Sequence, residues 1–196
     1  MTYQNVLLVD MNDNPIGEAE KLQAHKQGLL HRAFSIFIYR KNAHGIEYLL
    51  QKRASQKYHC GGLWTNTCCS HPNTQKEITI SVQERLKFEM GMDIPFENIK
   101  FIKKFTYKAV FDNGLTEHEI DHVFMAEYQG ENIQPNPEEV DDMRWINLDI
   151  LEDDLAKNPQ NYTAWLPQVL HIAKKGLHNI QTFPLQATRP FHTSSS

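Results

Sequence analysis

The strongest constraint on how this chain folds is a short turn sequence, Asp112-Asn113-Gly114, between two long stretches rich in apolar and aromatic residues. Hairpin turns need positive φ angles, which asparagine and glycine adopt at little cost. The sequence therefore predicts two antiparallel strands, over residues 101–111 and 115–128, joined at this turn. Because side chains alternate along a strand, Glu117 and Glu119 are expected on the same face of the second strand.

The second predicted strand also contains a literal HExxH motif, His118-Glu119-Ile120-Asp121-His122, the signature of zinc peptidases. That motif works only on a helix, where residues four apart bring both imidazoles to one metal ion. On a strand, His118 and His122 lie about 13 Å apart, since each residue adds about 3.3 Å. The strand context therefore disfavours a zinc peptidase, and it places Glu117 and Glu119 as paired carboxylates that can reach one ion.

Hydrophobic periodicity elsewhere predicts an α/β chain. Ile78, Val82, Leu86 and Met90 recur every four residues, with Gly91 just beyond them, as in an amphipathic helix that stops at a glycine. Residues 12–17 form a turn-rich stretch, and residues 56–72 have little periodicity but many polar groups, as expected of a functional loop with a short strand. The remaining predicted elements are strands at 6–10, 33–39, 46–53 and 143–147, of which 33–39 and 46–53 form a hairpin, and helices at 77–90 and 165–175.

Length and charge limit the classes of partner. The 196 residues suit one catalytic domain. Twenty basic and 24 acidic side chains give a net charge of −4 at pH 7, which argues against nucleic-acid and membrane partners. Any anionic ligand must then be met by a local group of cations. The apolar run at 6–9 is too short to span a membrane and lacks the basic flank of a signal peptide, so a cytoplasmic protein is expected.

Three cysteines and ten histidines direct attention to reactive groups. Cys60, Cys68 and Cys69 are too few for a disulfide framework, and the adjacent pair can close only a strained ring, so at least one thiol is expected to be free. Among the histidines and acids, a mixed nitrogen and oxygen shell suits Mn, Mg or Zn. The candidate ligands are His25, His31, His71, Glu117 and Glu119. From spacing alone, surface histidines and strand-face acids are the favoured interpretation, and the metal site is the alternative.

Three stretches of the chain carry a family resemblance. They are Glu20-Lys21-Leu22-Gln23-Ala24-His25, Leu30-His31-Arg32-Ala33-Phe34-Ser35 and, most specifically, Gly62-Leu63-Trp64-Thr65-Asn66-Thr67-Cys68-Cys69-Ser70-His71-Pro72. Together with Glu117-x-Glu119 they resemble type 1 isopentenyl-diphosphate delta-isomerase, a branch of the Nudix superfamily. The resemblance implies a Nudix-type mixed β-sheet flanked by helices in a single domain over residues 1–181. Within it, residues 1–30 are a candidate mobile segment, and residues 182–196 are expected to be a disordered tail.

The resemblance also implies roles for individual residues. Cys69 resembles the family's catalytic cysteine, which stands two residues before the motif histidine, whereas Cys68 has no such role. Glu119, with Tyr107 beside it, resembles the opposing acid/base group. His25, His31, His71, Glu117 and Glu119 resemble the ligands of the resident metal, and Glu89 resembles the ligand of a Mg²⁺ that arrives with the substrate diphosphate. Lys21, Arg53, Lys57 and Arg85 resemble the phosphate-binding cations, and Trp165 resembles the aromatic residue that faces the isoprenoid carbons.

The implied activity is isomerisation of isopentenyl diphosphate to dimethylallyl diphosphate in isoprenoid biosynthesis, by a monomer or homodimer that binds a small isoprenoid diphosphate. The alternative is a Nudix-type diphosphate hydrolase. Only Glu89 and Gly91 match the hydrolase helix motif convincingly, and hydrolysis needs several carboxylates on that helix to hold metal and activate water. A non-catalytic Nudix-like binding module is a further alternative. The chain departs from the family pattern at Ala164, which replaces the proline usual before the family's tryptophan.

Overall fold

The computed structural model describes residues 5–182; residues 1–4 and 183–196, which include nearly all of the predicted tail, lie outside the described residues. The described part contains nine strands and four α-helices. The strands are β1 (Asn5–Val9), β2 (Pro15–Glu20), β3 (His31–Asn42), β4 (Gly45–Arg53), β5 (Trp64–Thr65), β6 (Cys68–Ser70), β7 (Lys100–Val110), β8 (Thr116–Glu127) and β9 (Val140–Asn147), and the α-helices are α1 (Lys21–Gln27), α2 (Ile78–Met90), α3 (Leu148–Lys157) and α4 (Leu166–Thr182).

Strand β3 is the centre of one mixed sheet. It pairs antiparallel with β1, β4 and β6, and parallel with β8. The sheet extends from β8 to β7, from β4 to β5 and β9, and from β1 to β2. The parallel register sets His31 directly beside Glu119, so residues 88 positions apart in sequence become neighbours.

Two apolar clusters cover the two faces of this sheet. On one face, Val82, Leu86 and Met90 of α2 pack with Phe34 and Ile36 of β3. The other cluster joins α4 to β3, β4, β7 and β8. Alternation along β3 and β8 explains the division, since successive side chains point to opposite faces. The predicted mixed sheet between helices is confirmed.

Most predicted elements are present, with differences at their boundaries. The hairpin around the Asn-Gly turn forms β7 and β8, with Val110 opposite Thr116. Helix α2 ends where predicted, because Gly91 adopts a left-handed φ of 69° and its N–H donates to Lys87 O. The turn predicted over 12–17 is shorter, since β2 already begins at Pro15. Helices α1 and α3 were not predicted, and no helix in the described residues is long and apolar enough to cross a membrane.

The N-terminal segment carries two predicted site residues, so its attachment to the sheet matters. In the β1–β2 turn, Asp13 accepts hydrogen bonds from Arg32 Nε at 2.8 Å, from Lys104 Nζ at 2.9 Å and from His122 Nε2 at 2.9 Å. Glu20 then caps α1 by accepting from two backbone N–H groups. These contacts attach the β1–β2 turn to the sheet and cap the start of α1, while the mobility of residues 1–30 stays a prediction.

Candidate active site

One cavity of about 310 Å³ collects most of the predicted site residues. Its walls come from α1, from the loop after β4, from β6, from α2 and from β8. The predicted residues that line it are Lys21, Arg53, Lys57, Cys69, His71, Arg85, Glu89, Glu117, Glu119 and Trp165. The other three, His25, His31 and Tyr107, are buried beside lining residues. The structure thus brings together groups that lie up to 144 positions apart (165 − 21).

The three predicted metal-binding histidines form one tight cluster with Glu119 at the cavity. The ligand atoms of His25, His31, His71 and Glu119 all lie within 4.8 Å of one another, and all four residues are buried. His31 Nε2 is 3.3 Å from His25 Nε2 and 3.1 Å from His71 Nε2. Glu119 Oε1 lies 3.0 Å from His71 Nε2. Converging nitrogen and carboxylate atoms at this spacing are the arrangement of a divalent metal site.

The outer nitrogens of this cluster are also held. His31 Nδ1 lies 2.7 Å from the Leu29 carbonyl oxygen, which accepts its hydrogen bond and leaves Nε2 facing the cluster. His25 Nδ1 lies 2.8 Å from the hydroxyl of Tyr58. Such partners orient metal-binding imidazoles and fix which nitrogen is the ligand.

The protonation states of His25, His71 and Glu119 favour the binding of a cation. Burial lowers the pKa of His25 to about 3 and that of His71 to about 3, so both imidazoles are neutral at pH 7. Burial alone would raise the pKa of Glu119, but hydrogen bonds to His31 and His71 outweigh it and hold the pKa well below its usual range. Two neutral imidazoles and a carboxylate, buried beside His31, fit a divalent metal ion in their donor chemistry.

Glu117, the fifth predicted ligand, is not one of the four clustered residues. It lies on the same face of β8 as Glu119, as the alternation predicts, and is buried. Its Oε1 is hydrogen-bonded to His59 Nε2, whereas Oε2 has no hydrogen-bond partner within residues 5–182. Burial and the neighbouring Glu119 raise the pKa of Glu117 well above its usual range. Its role as a ligand stays a prediction.

The two adjacent cysteines face opposite sides of the sheet. In β6, Cys68 pairs with Ile36 and is fully buried in the apolar cluster below α2. Cys69 pairs with Ser35, lines the cavity, and accepts a hydrogen bond from Arg53 Nη1 at 3.5 Å. Burial raises the pKa of Cys69 to about 12 despite Arg53, so the thiol is protonated at pH 7. All three cysteines are free, as expected of a chain without a disulfide framework.

Four cations give the cavity a positive wall. Burial lowers the pKa of Lys21, and so do Lys57, Arg53 and Arg85, because each adds positive charge nearby. Such a group of cations is ready to receive a polyanion. Glu139, which also lines the cavity, contacts Lys57 Nζ and lies 3.4 Å from Arg85 Nη2.

Glu89 lies near these cations and is separate from the histidine cluster. It accepts hydrogen bonds from Gln51 Nε2 at 2.9 Å and from Arg85 Nη2 at 2.6 Å. Burial raises the pKa of Glu89, but the positive charges of Lys57 and Arg85 together lower it by more. The pKa of Glu89 is therefore below its usual value, and the side chain is an ionised carboxylate.

Two aromatic side chains complete the site. Tyr107 lies opposite Glu119 in the β7–β8 register, and its ring meets that of Trp165 edge to face with centroids 6.3 Å apart. The Arg53 guanidinium lies 5.5 Å from the centroid of the Trp165 ring. In the part of the chain that the structure describes, the buried Tyr107 hydroxyl forms no hydrogen bond of ordinary geometry, and burial, Glu117 and Glu119 raise its pKa.

Several cavity residues were missed by the sequence analysis. His59 and Tyr58 stand in the loop that the sequence marked as functional, but nothing in their spacing distinguished them. Glu139 lines the cavity but stands in an ordinary run of acidic residues, and Gln51, which does not line it, donates a hydrogen bond to Glu89 from β4. Asp121 shares the face of Glu117 and Glu119, so alternation alone was a signal for it; burial and Glu119 raise its pKa to about 8.

The HExxH residues take the positions expected of a strand. His118 Nδ1 lies 3.1 Å from the Gly28 carbonyl oxygen, whereas His122 Nε2 lies 2.9 Å from Asp13 Oδ2. Their partners differ, and neither histidine belongs to the metal-binding cluster. The geometry of a zinc peptidase is therefore absent from this segment.

Comparisons with solved structures and with a family model agree with this architecture. A family model described as "NUDIX domain" matches residues 29–166. DR0079 from Deinococcus radiodurans aligns with a TM-score of 0.67 at 10% identity, over 85% of this chain and 97% of that chain. An Ap4A hydrolase of C. elegans aligns with a TM-score of 0.52 at 20% identity, over 76% of this chain and 98% of that chain. At these identities the structural matches show the fold alone.

Relatives with a known name indicate the class of enzyme within this family. A Photobacterium profundum protein named isopentenyl-diphosphate Delta-isomerase is 48% identical over 167 residues, which are 85% of this chain and 92% of the relative. An Aliivibrio fischeri (strain ES114) protein of the same name is 40% identical over 178 residues, or 90% of this chain and 96% of the relative. The chain therefore belongs to the isopentenyl-diphosphate Delta-isomerases of the NUDIX family.

Proposed function

We propose that this chain interconverts isopentenyl diphosphate and dimethylallyl diphosphate. The observation that carries the proposal is a single cavity lined by Cys69, by Glu119 and by a wall of cations. This combination supplies proton-transfer groups and an anion-binding wall in one enclosed place. Family membership supports the same reaction, since the relatives are named for it.

The cations are proposed to bind the diphosphate. Lys21, Arg53, Lys57 and Arg85 line the cavity, and charge-assisted hydrogen bonds to phosphate oxygens are among the strongest in proteins. Glu89 is the proposed ligand for a Mg²⁺ that enters with the diphosphate, as the family resemblance implies. On binding, the phosphate oxygens would replace the Glu139 carboxylate as the partner of Lys57.

Isomerisation adds a proton at the terminal alkene carbon and removes one from the neighbouring methylene. An alkene is a very weak base, so the reaction needs an acid on one side of the substrate and a base on the other, with water excluded. Cys69, with its protonated thiol, and Glu119, with its ionised carboxylate, have the opposite protonation states that such a pair requires. In the reverse direction the two groups exchange roles.

Two aromatic residues support this step. Tyr107, beside Glu119, is proposed to relay or stabilise the proton on that carboxylate. Proton addition gives a tertiary carbocation or a species close to one, and the face of Trp165 is proposed to stabilise it by a cation–π contact of up to about 2 kcal/mol.

A divalent ion, Mn, Mg or Zn, is proposed to bind His25, His31, His71, Glu117 and Glu119, where it would lower the pKa of Glu119 and hold its side chain in place. The chain's own contribution is to present neutral imidazoles and to keep the site buried. The proposal involves no nucleic-acid or membrane partner.

The hydrolase alternative is less well supported by the cavity. Helix α2 contributes one carboxylate to it, Glu89, whereas Glu84 lies at the surface with Lys76. Nudix-type hydrolysis needs several carboxylates on this helix.

The decisive assay incubates the purified protein with isopentenyl diphosphate and Mg²⁺ and measures both the allylic product and released phosphate. We expect dimethylallyl diphosphate without phosphate release. Phosphate release would identify a hydrolase, and the absence of any turnover by the metal-loaded protein would identify a binding module.

The histidine cluster makes a separate prediction about metal content. His71→Ala should lose most of its bound metal and its turnover, because it removes one of three converging nitrogens. His122→Ala should keep its metal, because that imidazole contacts Asp13. Metal analysis of both purified variants tests this; loss of metal from His122→Ala alone would contradict the proposed site and restore the HExxH interpretation.

A further inference from the structure

We infer that His59 is a positioning residue for the metal site, which holds Glu117 by one oxygen so that its other oxygen is free to bind the ion. This inference rests on the metal site of the proposed function and adds a residue to it. His59 does not belong to the four-residue cluster, and the family resemblance assigns it no role.

The contact that carries the inference is a buried one. His59 Nε2 is hydrogen-bonded to Glu117 Oε1, and the two side chains are 6% and 5% exposed. Both residues line the cavity. This hydrogen bond uses Nε2 of His59, whereas Nδ1 is buried without a hydrogen-bond partner among the described residues. His59 is not among the clustered ligand residues, so its contact is with Glu117 and not with the cluster.

The unpartnered atom of Glu117 indicates what the contact is for. Glu117 Oε2 is buried and has no hydrogen-bond partner among the described residues. A buried carboxylate oxygen without a partner is costly, and native proteins rarely leave one without reason. Glu117 also lies on the same face of β8 as Glu119, which is two residues further along the strand and belongs to the cluster. An ion bound at the cluster would satisfy Oε2.

The loop between β4 and β5 is built to place His59 in the cavity. Lys57 N donates to Ala54 O at 3.1 Å, and Gly62 N donates to Arg53 O at 2.9 Å, which closes the loop. A Cβ atom at Gly61 would lie 2.6 Å from Ser55 O, so the backbones approach too closely for any other residue. Cys60 adopts a left-handed φ of 53°, a strained conformation for a residue with a side chain.

Hydrogen-bond partners of metal-binding carboxylates orient the ligand, and their loss typically weakens metal binding about 10–100-fold. His59 therefore should affect the affinity for the ion without changing how many ions bind. Gln and Asn substitutions separate the two ring nitrogens, since the Gln amide nitrogen lies near the position of Nε2 and the Asn amide nitrogen lies near that of Nδ1.

The test measures Mn²⁺ affinity and stoichiometry by chelator competition for the wild type and for His59→Ala, His59→Gln and His59→Asn. His44→Ala, which changes an exposed histidine in the β3–β4 turn, is the matched control. We expect His59→Ala to bind one Mn²⁺ with about 10–100-fold lower affinity. His59→Gln should recover much of that loss of affinity. His59→Asn should resemble His59→Ala, and the His44→Ala control should resemble the wild type.

A double-mutant cycle with Glu117→Gln separates positioning from general destabilisation. If His59 acts through Glu117, adding His59→Ala to Glu117→Gln should lower the Mn²⁺ affinity little further. Unchanged affinity in His59→Ala, additive losses in the double variant, or equal effects of the Gln and Asn variants would overturn the inference. Thermal unfolding of each variant without metal identifies any that fail to fold, and His59→Gln then carries the comparison.

The same experiment distinguishes failure of the inference from failure of the proposed function. A wild type that binds Mn²⁺ with the expected dependence on His59 but does not isomerise isopentenyl diphosphate overturns the reaction and leaves the positioning role standing. A wild type that binds no divalent ion overturns the metal site and the role of His59 together.

Discussion

Replacing Cys69 by alanine should lower isomerisation of isopentenyl diphosphate by about 10²–10⁴-fold, the usual contribution of one acid–base group. The Cys69 thiol lines the cavity and accepts a hydrogen bond from Arg53. The alanine side chain can neither donate nor accept a proton. Steady-state kinetics with detection of the allylic product measure the effect. Diphosphate binding should be largely kept, because the four cations are unchanged.

Cys68→Ala is the matched control for this variant. It removes the same atoms one residue away, but from a thiol buried against α2 that does not line the cavity. We expect most of the activity to remain, with a modest loss of stability from the small void. Equal losses of activity in the two variants, at equal thermal stability, would remove the basis for assigning the reaction to Cys69.

Glu119→Gln should be about as damaging, again by about 10²–10⁴-fold. Glutamine keeps an oxygen donor and nearly the same volume, so part of the metal should remain bound. Its amide cannot act as a carboxylic acid or as a carboxylate base, so the proton-transfer role is lost. Incubation in deuterated solvent, with mass analysis of recovered substrate and product, measures proton exchange directly.

Metal content separates the two roles of Glu119. A variant that keeps metal, binds diphosphate and exchanges protons far more slowly supports proton transfer by this carboxylate. Near-normal isomerisation and deuterium incorporation would show that another group moves the proton, and the proposed mechanism would have to be abandoned. Glu47→Gln, a change to a partly exposed strand residue that contacts Arg40, is a suitable control for the substitution itself.

Local patterns predicted the elements that depend on local physics. The Asn-Gly turn predicted the β7–β8 hairpin, and the four-residue periodicity with Gly91 predicted α2. Alternation along β8 was sufficient to reject the HExxH motif and to place Glu117 and Glu119 on one face. The short helix α1 was missed because only two of its seven residues, Leu22 and Ala24, are apolar, which gives little periodicity. Its formation depends on the Glu20 cap and on packing against the sheet.

The candidate site was anticipated unevenly for a similar reason. Most of the residues assigned by the family resemblance line one cavity. The sequence motifs were specific enough to identify these residues before their positions in space were known. His59 and Glu139 were not anticipated, since each acquires its importance from a partner distant in sequence. His59 meets Glu117, 58 positions away, and Glu139 meets Lys57, 82 positions away.

Local sequence patterns were enough to predict the strand and helix periodicities and to favour a strand over a helix at residues 118–122, and the family resemblance supplied the groups expected to bind metal or move protons. Which of those groups meet depends on the tertiary structure. The parallel pairing of β3 with β8 sets His31 beside Glu119, and alternation in β6 turns Cys69 to the cavity while Cys68 enters the core. Periodicity is a property of neighbouring residues, whereas ligand distances and burial follow from how distant strands pair and pack, which local patterns do not specify.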